Sequence, residues 1–105
     1  MPEQPDDLFE WDDGKSLRNR LLRGFDFEYA SRIFEGNTFE RVDMRKPYGE
    51  ERIVAIGQVG DDVLTVIYTW RSDRRRIISA RAANRRERDG YRTAYPETDY
   101  EKRRR

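Results

Sequence analysis

In 105 residues there is no cysteine and no histidine. No disulfide and no thiolate metal site can form, and the two commonest zinc ligands are both missing, so no metal and no cofactor is expected. The missing histidine also removes the usual general acid or base near neutral pH. Any proton transfer falls to a carboxylate, a tyrosine, a lysine or an unusual arginine. Apolar residues are scarce too, at 35% against 41% charged, so the core must be small. No apolar run approaches the roughly 18 residues of a membrane span, and the first thirteen residues hold six acids and no base. A soluble, cytoplasmic protein is expected.

What the chain has instead is arginine, unevenly placed. Formal net charge is only +1, yet Arg71 to Arg92 carries nine arginines and no lysine against Asp73, Glu87 and Asp89, a local surplus of six. A guanidinium is a planar donor fork that matches phosphate oxygens and stays charged at any biological pH, so the segment points to a polyanion partner, with RNA leading. The same charges also fit a solvated basic face on an ordinary strand and helix.

A chain of this length fits one domain, and tyrosine, phenylalanine and tryptophan at 12% argue against wholesale disorder. Residues 1–7 read as a flexible acidic arm, 8–95 as the domain and 96–105 as a disordered basic tail. Leu8 to Trp11 fits a short edge strand. A helix over Gly14 to Arg23 follows, with Leu17, Leu21 and Leu22 on one side and Gly24 as its left-handed stop. Asp26 can cap a second helix in which Phe27, Ala30, Ile33 and Phe34 recur at helical spacing until Gly36. The period then switches to alternation at Thr38 to Asp43. Arg52 to Val59, Val63 to Trp70 and Arg74 to Arg81 form an antiparallel meander joined at Gly60-Asp61-Asp62 and Ser72-Asp73. Asn84 and Glu87 have capping-box spacing before a last helix that carries Tyr91 and Tyr95 on one face. The class is α+β: a small antiparallel sheet with two helices before it and one after.

An ordered series of blocks resembles a known family: Phe9-Glu10-Trp11-Asp12 leading to Lys15 and Asn19, Gly24 with Phe27-Glu28, Glu50-Glu51-Arg52-Ile53 to Ile56-Gly57, and Arg76-Ile77-Ile78-Ser79-Ala80-Arg81 with Glu87 and Tyr91. The series is similar to the BrnT toxins, and the Ile-Ile-Ser-Ala-Arg block is its most diagnostic part. The resemblance implies a RelE-like fold and a type II toxin-antitoxin system, in which a small ribonuclease inhibits translation and a BrnA-like ribbon-helix-helix antitoxin silences it. It further implies a hetero-oligomer that meets operator DNA only through the antitoxin. One departure stands out. Where the family commonly has a Lys-His-Gly-like sequence, this chain has Leu22-Arg23-Gly24, so Arg23 replaces the histidine.

The residues themselves are compatible with metal-independent RNA cleavage, in which a ribose 2′-hydroxyl attacks the adjacent phosphate and arginines hold the developing charge. Arg71, Arg76 and Arg81 are the candidates. On strict strand alternation Arg76 and Arg81 fall on opposite faces, so they cannot point one way without a bulge or a strand end. Glu87 fits a general base, an orienter of arginine or a helix cap. Tyr91 fits base stacking, proton donation or a core tyrosine. Lys15, Arg23, Arg74, Arg75, Arg85 and Arg86 are candidate RNA contacts. Two other readings of the chain stay open: a non-catalytic nucleic-acid or protein-binding adaptor, and an inactive toxin homologue acting in operon autoregulation.

Overall fold

Strand β1 (Phe9–Trp11) leads directly into helix α1 (Asp13–Arg23) in the computed structural model, which describes residues 8–45, 47 and 49–96. The acidic arm and, past Pro96, the basic tail lie outside the described residues. Gly24 ends α1 at φ 90°, and its N–H bonds to the Arg20 carbonyl at 3.0 Å. A left-handed cap of this kind favours glycine, because a Cβ would crowd the carbonyl there. Arg20 and Arg23 in the last turn and Asp13 in the first oppose the helix dipole.

Helix α2 (Phe27–Ser31) begins where the Asp26 side chain accepts from the Tyr29 N–H at 2.9 Å, and it tightens into a 3-10 turn over Arg32–Glu35. Four more strands follow: β2 (Phe39–Val42), β3 (Ile53–Val59), β4 (Asp62–Arg71) and β5 (Arg74–Ala82), then helix α3 (Arg85–Ala94). The sheet order is β1-β5-β4-β3-β2. The meander expected from the sequence is present as β3, β4 and β5. Pairing is antiparallel from β2 through β5, and β1 joins the β5 edge in parallel, so the α+β sheet is mixed at one edge only.

Alternation along β4 sends Leu64, Val66 and Tyr68 to one face, where Phe27, Ala30, Ile33, Ile77 and Ala80 complete the main core. Burial of a side chain such as Phe27 or Ile33 contributes on the order of 1.5–3 kcal/mol. The close approach of this helical layer is visible at Gly57 on β3, where an added Cβ would sit 2.7 Å from the Ile33 Cβ. The other face carries Thr65, Ile67 and Thr69. There α3 covers a smaller cluster of Ile56, Val63, Ala83 and Tyr91.

The side of α1 that carries Leu17, Leu21 and Leu22 faces solvent. The helix turns its polar side inward because the first turn of α2 needs donors and acceptors. Ser16 Oγ accepts from the Phe27 N–H at 3.0 Å, and Asn19 Nδ2 donates to the Phe25 carbonyl at 2.9 Å. Helical spacing identified the apolar side correctly but carries no information about which side the neighbouring helix demands.

Candidate nucleic-acid interface

β5 has one residue more than the stretch of β4 it pairs with. Ile67 pairs with Ser79 and Tyr68 with Ile77, so Ile78 is an extra residue at a bulge. Beyond it the pairing is Thr65 with Arg81, and before it Thr69 with Arg76. Thr65 and Thr69 lie on the same face of β4, four residues apart, so Arg76 and Arg81 share that face as well. The inserted residue shifts the pleat by one, leaving Ile77 and Ala80 together in the core. Were Ile78 paired in regular register instead, an arginine would enter the core or an isoleucine would leave it.

Three arginines on this face, Arg71, Arg76 and Arg81, meet a carboxylate. Arg81 donates from Nη1 to Glu87 Oε1 at 2.7 Å and from Nη2 to Oε2 at 2.9 Å. Arg76 Nη1 donates to Glu10 Oε2 at 2.9 Å, a contact made possible because β1 lies in parallel register with Glu10 opposite Arg76. Arg71 approaches Glu50 at 3.8 Å, and Arg74 is exposed opposite it at the hairpin. The surplus of charge counted in the sequence is therefore partly balanced by acids brought in from β1, the 49–52 segment and α3.

Glu87 is the most heavily engaged of these acids. Its Oε1 also accepts from the Asn84 N–H at 2.9 Å and from Thr65 Oγ1 at 3.0 Å, while its own N–H donates to Asn84 Oδ1 at 2.8 Å. The capping box and the orientation of Arg81 are thus one arrangement. The Arg81 guanidinium, aided by the Asn84 N–H and Thr65, outweighs burial and holds the Glu87 carboxyl down at about 2. In return Glu87 raises the pKa of Arg81, with the nearby Arg45 charge acting the other way.

Arg45 was not singled out by the sequence. It sits just beyond β2, where Asp43 continues the ladder by donating its N–H to the Arg52 carbonyl at 2.8 Å. The fully buried Asp43 carboxylate accepts from Arg45 Nε at 2.9 Å and Nη2 at 2.8 Å, which presents the guanidinium outward with 67% of its side chain exposed. The Asp-x-Arg spacing at a strand end is the only sequence signal for it, and that spacing is common.

The remaining candidates separate. Arg85 and Arg86 are exposed in the first turn of α3, beside Glu87. Arg75 points to the helical face, its guanidinium carbon 4.3 Å from the Phe34 ring centroid, 4.7 Å from that of Trp70 and 5.3 Å from that of Tyr68. Arg23 reaches from α1 to donate to the Ala80 carbonyl at 2.8 Å, and Lys15 is exposed on the same helix, so neither joins Arg76 and Arg81. Tyr91 is buried, and its hydroxyl donates to the Asn37 carbonyl at 3.1 Å; Tyr95 makes the matching bond to Thr38 at 2.7 Å. Both tyrosines pin α3 to the start of β2. Burial raises the pKa of Tyr91, leaving it a neutral donor. Tyr68, pushed up to about 12 by burial and by its bond to Glu40, is a neutral donor as well.

A family model described as "Ribonuclease toxin, BrnT, of type II toxin-antitoxin system" matches residues 11–87. The chain belongs to the BrnT family. The matched span runs from Trp11 on β1 to Glu87 on α3, and so includes Arg45, Arg71, Arg76 and Arg81. No curated protein matches the chain with significance. Membership in BrnT makes the chain a ribonuclease toxin of a type II pair, with an antitoxin as its partner. No helix among the described residues is long and apolar enough to cross a membrane.

Proposed function

We propose that this BrnT chain is an endoribonuclease that cleaves RNA without a metal ion, so inhibiting translation, and that a BrnA-like ribbon-helix-helix antitoxin neutralises it in a hetero-oligomer that meets operator DNA through the antitoxin. The observation that carries the nuclease reading is the alignment of Arg76 and Arg81 on one sheet face by the Ile78 bulge. The mixture of sheet and helices supports the RelE-like assignment that the family resemblance implies.

In the proposed reaction the ribose 2′-oxygen bonds to the adjacent phosphorus as its proton leaves to solvent. The bond from phosphorus to the 5′-oxygen breaks, and that oxygen takes up a proton. The products are a 2′,3′-cyclic phosphate and a 5′-hydroxyl. Negative charge collects on the non-bridging oxygens, where Arg81, held in place by Glu87, meets it without reorganisation; such a donor contributes about 10²-fold or more. Arg76 and Arg71 supply further charge along the face, while Arg74, Arg85 and Arg86 hold flanking phosphates. Glu87 serves as a positioning residue. Tyr91 does the same at one remove, through α3.

One observation favours a second reading, the non-catalytic adaptor or inactive homologue: Glu87 and Tyr91 are both committed to structural bonds, which leaves no base among the candidates. Incubating the purified chain with single-stranded RNA and EDTA separates the two. Cyclic phosphate ends that disappear with Arg81→Ala support the nuclease. Intact RNA together with salt-dependent binding would replace it with the adaptor.

A further inference from the structure

We propose that the solvent face of α1 is the docking site for an acidic amphipathic helix of the antitoxin. The proposal rests on the toxin-antitoxin reading and adds where the partner sits. A surface helix normally buries its apolar stripe, yet in α1 the buried residues are Ser16 and Asn19, while Leu17, Leu21 and Leu22 are 54%, 75% and 76% exposed. A chain this poor in apolar residues leaves three leucines of one helix in water. Clustered exposure of this kind, beside a groove, marks an interaction surface.

The groove lies between α1 and β5. Its volume is about 190 Å³, and Leu22, Phe27 and Ile78 line it with Lys15 and Arg18 at its rim. Charge fixes the chemistry of the occupant. After Asp13, α1 contains Lys15, Arg18, Arg20 and Arg23 and no acid. A matching surface therefore presents apolar residues flanked by aspartate or glutamate. Leu17 and Leu21, one turn apart, form a ridge of the kind that packs into the groove of another helix. This face is also separate from the arginines, since α1 packs on α2, which covers the sheet face opposite Arg76 and Arg81. Docking and RNA chemistry are thus separable by mutation.

The test uses the full chain and the protein encoded by the reading frame adjoining its gene. In the Leu17→Asp/Leu21→Asp variant, growth arrest and RNA cleavage should persist, while rescue by that protein is lost and Kd rises at least about 30-fold. Arg18→Glu should also weaken the complex, by a factor that shrinks as salt is raised. Far-UV circular dichroism checks that the double variant is folded. An unchanged Kd in the folded double variant would remove the docking site alone, whereas failure of the wild-type chain to bind the adjoining product would remove the antitoxin reading and the docking site with it. Sedimentation of the isolated chain decides the remaining case: a dimer that the double variant converts to monomer would assign this face to a second copy and overturn the proposal.

Discussion

Arg81 and Glu87 lie six residues apart and join the end of the last strand to the first turn of the last helix through two parallel hydrogen bonds of 2.7 and 2.9 Å. The carboxylate that caps α3 is therefore the one that aims the guanidinium. Local folding and the geometry of the arginine face share a single ion pair.

Replacing Glu87 with glutamine removes the charge but keeps a side chain able to accept at the cap. We expect a loss of about 1 kcal/mol in urea unfolding at neutral pH, because Arg81 loses its charged partner but is exposed enough for water to replace part of that contact. The pH dependence has a defined sign. Glu87 titrates at about 2 in the fold and at 4.5 as a free side chain, so its contribution is present above 4.5 and lost as pH falls toward 2. The difference between wild type and Glu87→Gln should shrink through that window.

Arg81→Lys tests whether charge alone suffices. A lysine ammonium cannot form the two-point contact with Glu87, so we expect RNA cleavage to fall about 10²-fold despite unchanged net charge. Arg76→Ala, which frees Glu10, should lower cleavage and also leave an uncompensated acid on the same face. Initial rates on a short fluorescent RNA report both.

The pH profile of cleavage should show no inflection between about pH 5 and 8. The chain has no histidine, Glu87 titrates far below that range, and Tyr68 and Tyr91 are pushed upward. A clear single-group transition near pH 6 or 7 in kcat would show that another side chain carries the proton.

Tyr91→Phe should cost about 1 kcal/mol of stability through the lost bond to Asn37 and, since Tyr91 acts only through the position of α3, lower cleavage by no more than a few-fold. A large fall in kcat with unchanged thermal stability would return Tyr91 to a direct role.

Gly57→Ala should destabilise by about 1–3 kcal/mol, since the new methyl would meet the Ile33 side chain and the Ile33 carbonyl at 2.7 and 3.3 Å. Thermal unfolding monitored by circular dichroism measures it.

Much of the architecture was legible because local signals and tertiary demands agree. Alternation in β3 and β4, the Asp26 cap, the Asn84–Glu87 box and the Gly24 stop are all where the residues place them. The site was less legible, for physical reasons that differ by residue. Strict alternation in β5 put Arg76 and Arg81 on opposite faces, and only pairing with β4 shows the inserted Ile78. Arg75 reads as one more basic residue, yet a cage of three rings, one from the 3-10 turn and two from β4, claims it. Arg45 depends on a carboxylate two residues away that becomes significant only once it is buried. The leucines of α1 look like core until the needs of α2 are considered.

The unmatched residue in β5 makes this strand sensitive to register as well as to composition. Drawing Ile78 into the ladder opposite Tyr68 would leave a fully regular pair of strands with one more residue in the hairpin loop, but Arg76 would rotate toward the Tyr68 side while Ile77 turned outward. A fold in that register would keep every arginine and still have its cationic pair split between the two sides of the sheet.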